Sequence, residues 1–122
     1  VTTARVFMVY GPGQQDPTKL VPYTVRSLLD GERPRISSGR RLVDWVYVDD
    51  VADGLLRLAI EPGAEGQTLD LGSGSMIATV DLVETICRLA NPGISPIIGA
   101  LADRPMEPTG AADVERTRAL VG

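Results

Sequence analysis

The chain has no histidine and only one cysteine, Cys87, among its 122 residues. Without imidazole, histidine acid–base catalysis, the Ser-His-Asp and Cys-His mechanisms and most zinc chemistry are excluded. A single thiol excludes an intrachain disulfide and a cysteine metal cluster, so no metal site is expected. Cys87 falls within a helical apolar pattern and reads as a small buried residue. Any chemistry must therefore rest on carboxylates, Lys19, tyrosines or arginines. No apolar run approaches the roughly 18 residues of a membrane span. No signal peptide is read at the start, so the expected setting is cytoplasmic, away from membranes. Sixteen acidic residues against 12 basic ones leave a net charge of -4. The basic residues form no stripe, which argues against nucleic acid as a partner. The chain opens on Val1 rather than Met, which fits an excised or truncated segment as well as a processed product.

What is present reads as one α/β domain over residues 1–122, with 43% hydrophobic residues, enough for a real core. Val6-Phe-Met-Val9 is apolar without alternation, as expected of a strand buried on both faces of a mainly parallel sheet. Gly11-Pro12-Gly13 ends it in a turn. Lys19 to Asp30 predicts a helix with Leu20, Tyr23, Leu28 and Leu29 on its apolar face, stopped by Gly31. Arg35 to Ser37 predicts a short strand, Ser38 to Arg41 a turn, and Leu42 to Tyr47 another extended run. Asp49 is expected to cap the next helix, whose stripe is Val51, Leu55 and Leu58, flanked by Ala52, Leu56 and Ala59. Thr68 to Leu71 predicts a strand entering the loop Gly72-Ser-Gly-Ser75. Thr79 is expected to cap a helix with Leu82, Val83, Ile86, Leu89 and Ala90 inward, closed by Asn91-Pro92-Gly93. Ile97-Ile98 can form a strand, and Val114 to Val121 a last short helix. Alternating strands and helices imply an α/β architecture.

Two blocks carry chemistry. Arg5-Val-Phe-Met-Val-Tyr-Gly-Pro-Gly-Gln14 is a strand breaking into a glycine-proline turn. Val43-Asp-Trp-Val-Tyr-Val-Asp-Asp50 is an extended segment running into a helix start. In that order and separation the pair resembles the second half of an extended short-chain dehydrogenase/reductase, the NAD(P)-dependent epimerase/dehydratase family. The resemblance covers Arg5 to Gly122 and implies a partial Rossmann-like sheet plus a small substrate-binding lobe, with the N-terminal dinucleotide-binding half absent. It implies NAD or NADP as cofactor of the complete enzyme, none held tightly by this chain alone, and a nucleoside-diphosphate sugar as ligand.

By the same resemblance, Val6 and Phe7 lie on the strand facing the nicotinamide. Met8 stands where the family usually has an asparagine that contacts the substrate phosphates, a donor that methionine lacks. Lys19 and Leu20 match the helix entry bordering the nucleotide base, and Ser37 a residue packing on it. Many relatives have an arginine at the position of Val43. Arg41 is the candidate to supply that charge from a shifted position, since an arginine fork suits phosphate. Arg104 and Glu107 match the ends of an Arg-x-Gly-Asp segment that closes over phosphate and sugar. Asp44, Asp49 and Asp50 read as caps, dipole partners and loop anchors. The family's catalytic Tyr-x-x-x-Lys maps nowhere: Tyr10, Tyr23 and Tyr47 each lack a lysine four residues on. No glycine fingerprint for a dinucleotide opens the chain. No residue is therefore assigned as catalytic, and the expected role is to bind substrate.

Two other readings stand beside this one. A stand-alone binding or oligomerisation module that has lost its cofactor half would cover its exposed sheet edges by forming a homo-oligomer. Alternatively, Leu69-Asp-Leu-Gly-Ser-Gly-Ser75 looks like the cofactor loop of S-adenosylmethionine-dependent methyltransferases. Met76 stands where a third glycine is usual, and the same turn is structural in the epimerase family.

Overall fold

A computed structural model describes residues 1–103 and 110–122. In chain order its elements are β1 (Thr3–Val6), β2 (Met8–Tyr10), α1 (Leu20–Leu29), β3 (Leu42–Val43), β4 (Trp45–Tyr47), α2 (Val48–Ile60), β5 (Thr68–Leu71), β6 (Ile77–Ala78), α3 (Thr79–Ala90) and α4 (Val114–Val121). The architecture is α/β. The chain divides into two compact units, one of Val1–Pro12, Val43–Met76 and Gly110–Gly122, the other of Gly13–Leu42 and Ile77–Thr109.

In the first unit, β1 runs parallel to β5, with Ala4 opposite Leu69 and Val6 opposite Leu71. β2 runs parallel to β4, with Met8 opposite Trp45 and Tyr10 opposite Tyr47. The single strand expected through Val6 to Val9 is thus two strands broken at Phe7. The cause is a change of partner. Phe7 N–H donates to the Leu71 carbonyl at 3.0 Å, and the next amide, Met8, donates to the Asp44 carbonyl at 3.1 Å. Each strand has one hydrogen-bonded neighbour, so Val6 and Met8 stay 42% and 39% exposed rather than buried on both faces.

The core of this unit is Leu58, Ala64, Leu69 and Leu71, with Ala4, Leu120 and Val121 packed against it. α2 starts at Val48 with Tyr47 as its N-cap. Asp49 is therefore inside the first turn, not the cap expected; with Asp50 it still lies at the positive end of the helix dipole. The helix buries Val51 and Leu58, whereas Leu55 and Leu56 face solvent. Gly54 lets α2 lie close on β5: a Cβ there would fall 2.7 Å from Leu71 Cδ2.

The second unit is built on α1 and α3. Leu28, Ile36, Val83 and Cys87 form its core, and Leu20, Val80, Ile86 and Ile94 pack around them. Cys87 is buried as expected, and burial followed by the nearby Glu84 pushes its thiol pKa up. Leu29, Leu89 and Ala90, expected inward, are exposed. Thr79 is the first helical residue rather than the cap. Its N–H and Oγ1 both donate to the Arg41 carbonyl, at 2.9 and 3.1 Å. The two short strands expected at Arg35 and Ile97 reduce to one parallel bridge between those residues.

Candidate functional site

Asp44 organises the first unit. Its carboxylate is 2% exposed, and Oδ1 accepts from Ser73 N–H at 2.8 Å and Ser73 Oγ at 2.7 Å. Oδ2 accepts from Gly74 N–H and Ala112 N–H, each at 2.9 Å. Burial alone would raise the Asp44 pKa. The hydrogen bonds from Ala112, Ser73 and Gly74 outweigh it and hold the carboxyl below the usual range. The loop is glycine at 72 because a Cβ there would lie 2.6 Å from Ala112 Cβ and 3.0 Å from Asp44 Oδ2. The amides that a cofactor-binding version of this loop would offer are thus already committed to an internal carboxylate. Asp70 behaves alike: burial raises its pKa, but the Asp113 amide at 2.8 Å and Arg5 Nε at 2.6 Å bring it below normal. Both aspartates are anchors.

Ligands of open α/β sheets meet the carboxyl ends of parallel strands. Here those ends present Tyr10 and Tyr47, whose rings meet edge to face with centroids 5.5 Å apart. Gly11 follows at φ +147, and a Cβ there would lie 2.4 Å from Val48 Cγ1, so only glycine fits this close approach. Sequence reading missed the aromatic pair; the signal was available only once Tyr10 and Tyr47 were placed in register. Val6, Phe7 and Met8 lie just upstream, with Phe7 half-buried.

NAD is implied by the family resemblance, and its diphosphate needs a glycine-rich turn with free amides at a helix N-terminus. Among the described residues the glycine-rich turn that follows β5 has its Ser73 and Gly74 amides bound to Asp44. That turn does not fit a dinucleotide diphosphate. A cavity of about 210 Å³ in the same unit is lined by Asp50, Asp53, Arg57, Asp70 and Arg118 among others. Its charges are partly paired internally, with Arg57 Nε on Asp53 at 2.9 Å. None of the sequence-derived candidates lines it.

Lys19, Leu20, Ser37 and Arg41 all belong to the second unit. Lys19 is the exposed N-cap of α1. Leu20 packs on the core cluster that contains Ile36, the residue before Ser37. Ser37 is half-buried, its carbonyl accepting from Gly99 N–H at 2.9 Å. The loop then runs through Gly39, at φ +71, where a Cβ would fall 2.4 Å from Val80 Cβ and 2.9 Å from Val80 N. The Gly39 and Arg41 carbonyls receive the Val80 and Thr79 amides, each at 2.9 Å. The Arg41 residue is exposed. The start of α1, the Ser37 loop and the start of α3 are thus tied to one apolar cluster. Arg104 and Glu107 lie outside the described residues.

The model of the NAD dependent epimerase/dehydratase family matches residues 1–72. A dTDP-glucose 4,6-dehydratase of Neisseria meningitidis is 36% identical over 81 residues, covering 66% of this chain and 22% of that protein. Among solved structures, epimerase Mth375 of Methanothermobacter thermautotrophicus superposes with a TM-score of 0.87 at 22% identity, over 98% of this chain and 37% of its own. MoeE5, solved in complex with UDP-glucuronic acid and NAD, gives a TM-score of 0.82 at 28% identity over 97% of this chain and 39% of its own. The chain therefore spans about a fifth of that dehydratase and less than two fifths of these structures.

Proposed function

Because the chain belongs to the NAD dependent epimerase/dehydratase family, we propose that it forms the substrate-binding portion of a sugar-nucleotide epimerase or dehydratase. In this reading residues 1–122 are the C-terminal part of such an enzyme. They hold a nucleoside-diphosphate sugar and leave catalysis to residues outside this sequence. The observation that carries the reading is that Lys19, Leu20, Ser37 and Arg41 share one unit, with Leu20 and Ile36, the neighbour of Ser37, in its apolar cluster. Lys19 and Leu20 border the base, Ser37 packs on it, and the Arg41 guanidinium forks onto the diphosphate. Arg104 and Glu107 take the roles their motif implies, on phosphate and sugar hydroxyls. Met8 offers no donor where relatives have an amide, so phosphate affinity rests more heavily on arginine. In the complete enzyme NAD(P) would supply hydride-transfer chemistry, beside the strand that carries Val6 and Phe7.

The relatives point to pyrimidine nucleotides, since their names carry dTDP-glucose and UDP-glucuronic acid. Calorimetric titration of the protein with thymidine and uridine diphosphates tests the reading. Measurable binding is expected, weakened about tenfold by Arg41→Ala, the scale of a lost charge-assisted hydrogen bond. Absence of binding to either nucleotide, at protein concentrations where the fold is intact, sinks the proposal.

A further inference from the structure

The loop that carries Ser37 is held on one side by the returning segment 97–103. Ile97 N–H donates to the Pro34 carbonyl at 2.7 Å, and Ile36 N–H to the Ile97 carbonyl at 3.1 Å. Gly99 N–H donates to Ser37, and Leu101 N–H to Ile36 at 3.2 Å. These backbone bonds stop at Ser37. At Ser38 a side chain takes over: Asp103 Oδ1 accepts from the Ser38 N–H at 3.0 Å and from Ser38 Oγ at 2.8 Å. Beyond Ser38 the loop is fixed again by the Val80 and Thr79 amides. Ser38 is therefore the one link between Pro34 and Arg41 whose backbone amide is tied by a carboxylate from a residue 65 positions away.

We propose that Asp103 and Ser38 form a latch that sets the shape of the Ser37 loop and thereby the affinity for the nucleotide base. The inference rests on the function proposed above. Asp103 is a positioning residue, bonded most closely by Ser38 and also by the Ser37 side chain, without touching the ligand. A carboxylate suits the task because it accepts both the N–H and the hydroxyl of one residue, which a neutral side chain does more weakly. The ordinary Asx and serine turns that stabilise loops are local; this one joins segments far apart in sequence. Ser38 supplies the two closest donors, so its hydroxyl and the carboxylate are testable as a pair.

Thymidine diphosphate titrated into wild-type protein, Asp103→Ala, Ser38→Ala and the double variant gives the test. Asp103→Ala removes both bonds and should lose roughly fivefold in affinity, the scale of one net hydrogen bond; Ser38→Ala keeps the backbone N–H bond and should lose less. The double variant should lose little more than Asp103→Ala alone, because the carboxylate's removal already abolishes what the Ser38 hydroxyl contributes. Ser38→Thr, which keeps the donors, should restore binding, and Asp81→Asn on exposed α3 should leave it unchanged. Melting temperatures near wild type separate positioning from loss of fold, and faster hydrogen exchange at the Ser38 amide in Asp103→Ala reports the latch directly. Wild-type-like affinity in Asp103→Ala, fully additive losses, or an unchanged Ser38 amide each overturns the latch. Failure of the wild-type protein itself to bind is a different result: it removes the proposed function, and the positioning role goes with it.

Discussion

At the scale of single residues, Asp44 is the position on which the first unit most depends. One buried carboxylate satisfies three backbone amides and a hydroxyl from two segments far away in sequence. Removing it strands donors in a dry environment, which costs more than the bonds contributed. Asp44→Ala should destabilise the protein by about 2–4 kcal/mol in urea unfolding, at the upper end for single substitutions. The pH dependence has a definite sign. Asp44 and Asp70 both have folded-state pKa values held below normal. Their contribution is complete above the unfolded aspartate value of about 3.9 and is lost as pH falls through the lower folded values. Urea midpoints should therefore be level near neutrality and drop below about pH 4, with a shallower drop in Asp44→Ala. An equal drop in both proteins would show that Asp44 is not the titrating anchor.

At the scale of elements, α2 shows how far a sequence pattern reaches. Its periodicity predicts an inward stripe of Val51, Leu55 and Leu58, flanked by Ala52, Leu56 and Ala59. Val51 and Leu58 are buried, but Leu55 is 45% exposed, and Leu56 and Ile60 are 69% and 81% exposed. Leu58→Ala should therefore cost about 2–4 kcal/mol, whereas Leu56→Gln should stay within about 0.5 kcal/mol; chemical unfolding of the two variants checks the ranking. The same limit explains the rest of the reading. β5, α4 and the structural nature of the Gly72–Ser75 loop were legible because apolar runs there are bounded by glycine or by a clear helical stripe. The break at Phe7 was not, because it comes from exchanging one partner strand for another, which no local pattern records. Local pattern predicts Asp49 and Thr79 as caps, but the helices begin one residue before the first and at the second. At Thr79 a tertiary bond to the Arg41 carbonyl occupies the helix start. Lys19, Leu20, Ser37 and Arg41 are nameable from motif order, but that they fall in the unit built on α1 and α3 follows only from packing. The Tyr10–Tyr47 contact required the register of β2 on β4.

At the scale of the whole molecule, the strands themselves pose a physical problem. Parallel strands occur almost only in sheets covered on both faces, yet β1 and β2 each have one hydrogen-bonded partner. Among the described residues β1 has one paired edge, and Val6 on it is 42% exposed, so its other edge is a template for pairing with another chain. The chain spans 22% of the length of its dehydratase relative, so in a longer protein other strands would occupy that edge. In these 122 residues the available partner is a second copy. Sedimentation velocity over a concentration series should show reversible self-association. Val6→Lys should weaken it, since an inward-pointing lysine is a common device against edge pairing. Arg5 already places one charge on β1, and its guanidinium is drawn onto Asp70 at 2.6 Å, which leaves the edge less protected than the sequence suggests. A monomer at every concentration would mean that this single charge and the short strand suffice to blunt the edge. The oligomerisation-module reading would then lose its physical basis, while nucleotide binding, which rests on the other unit, would stand untouched.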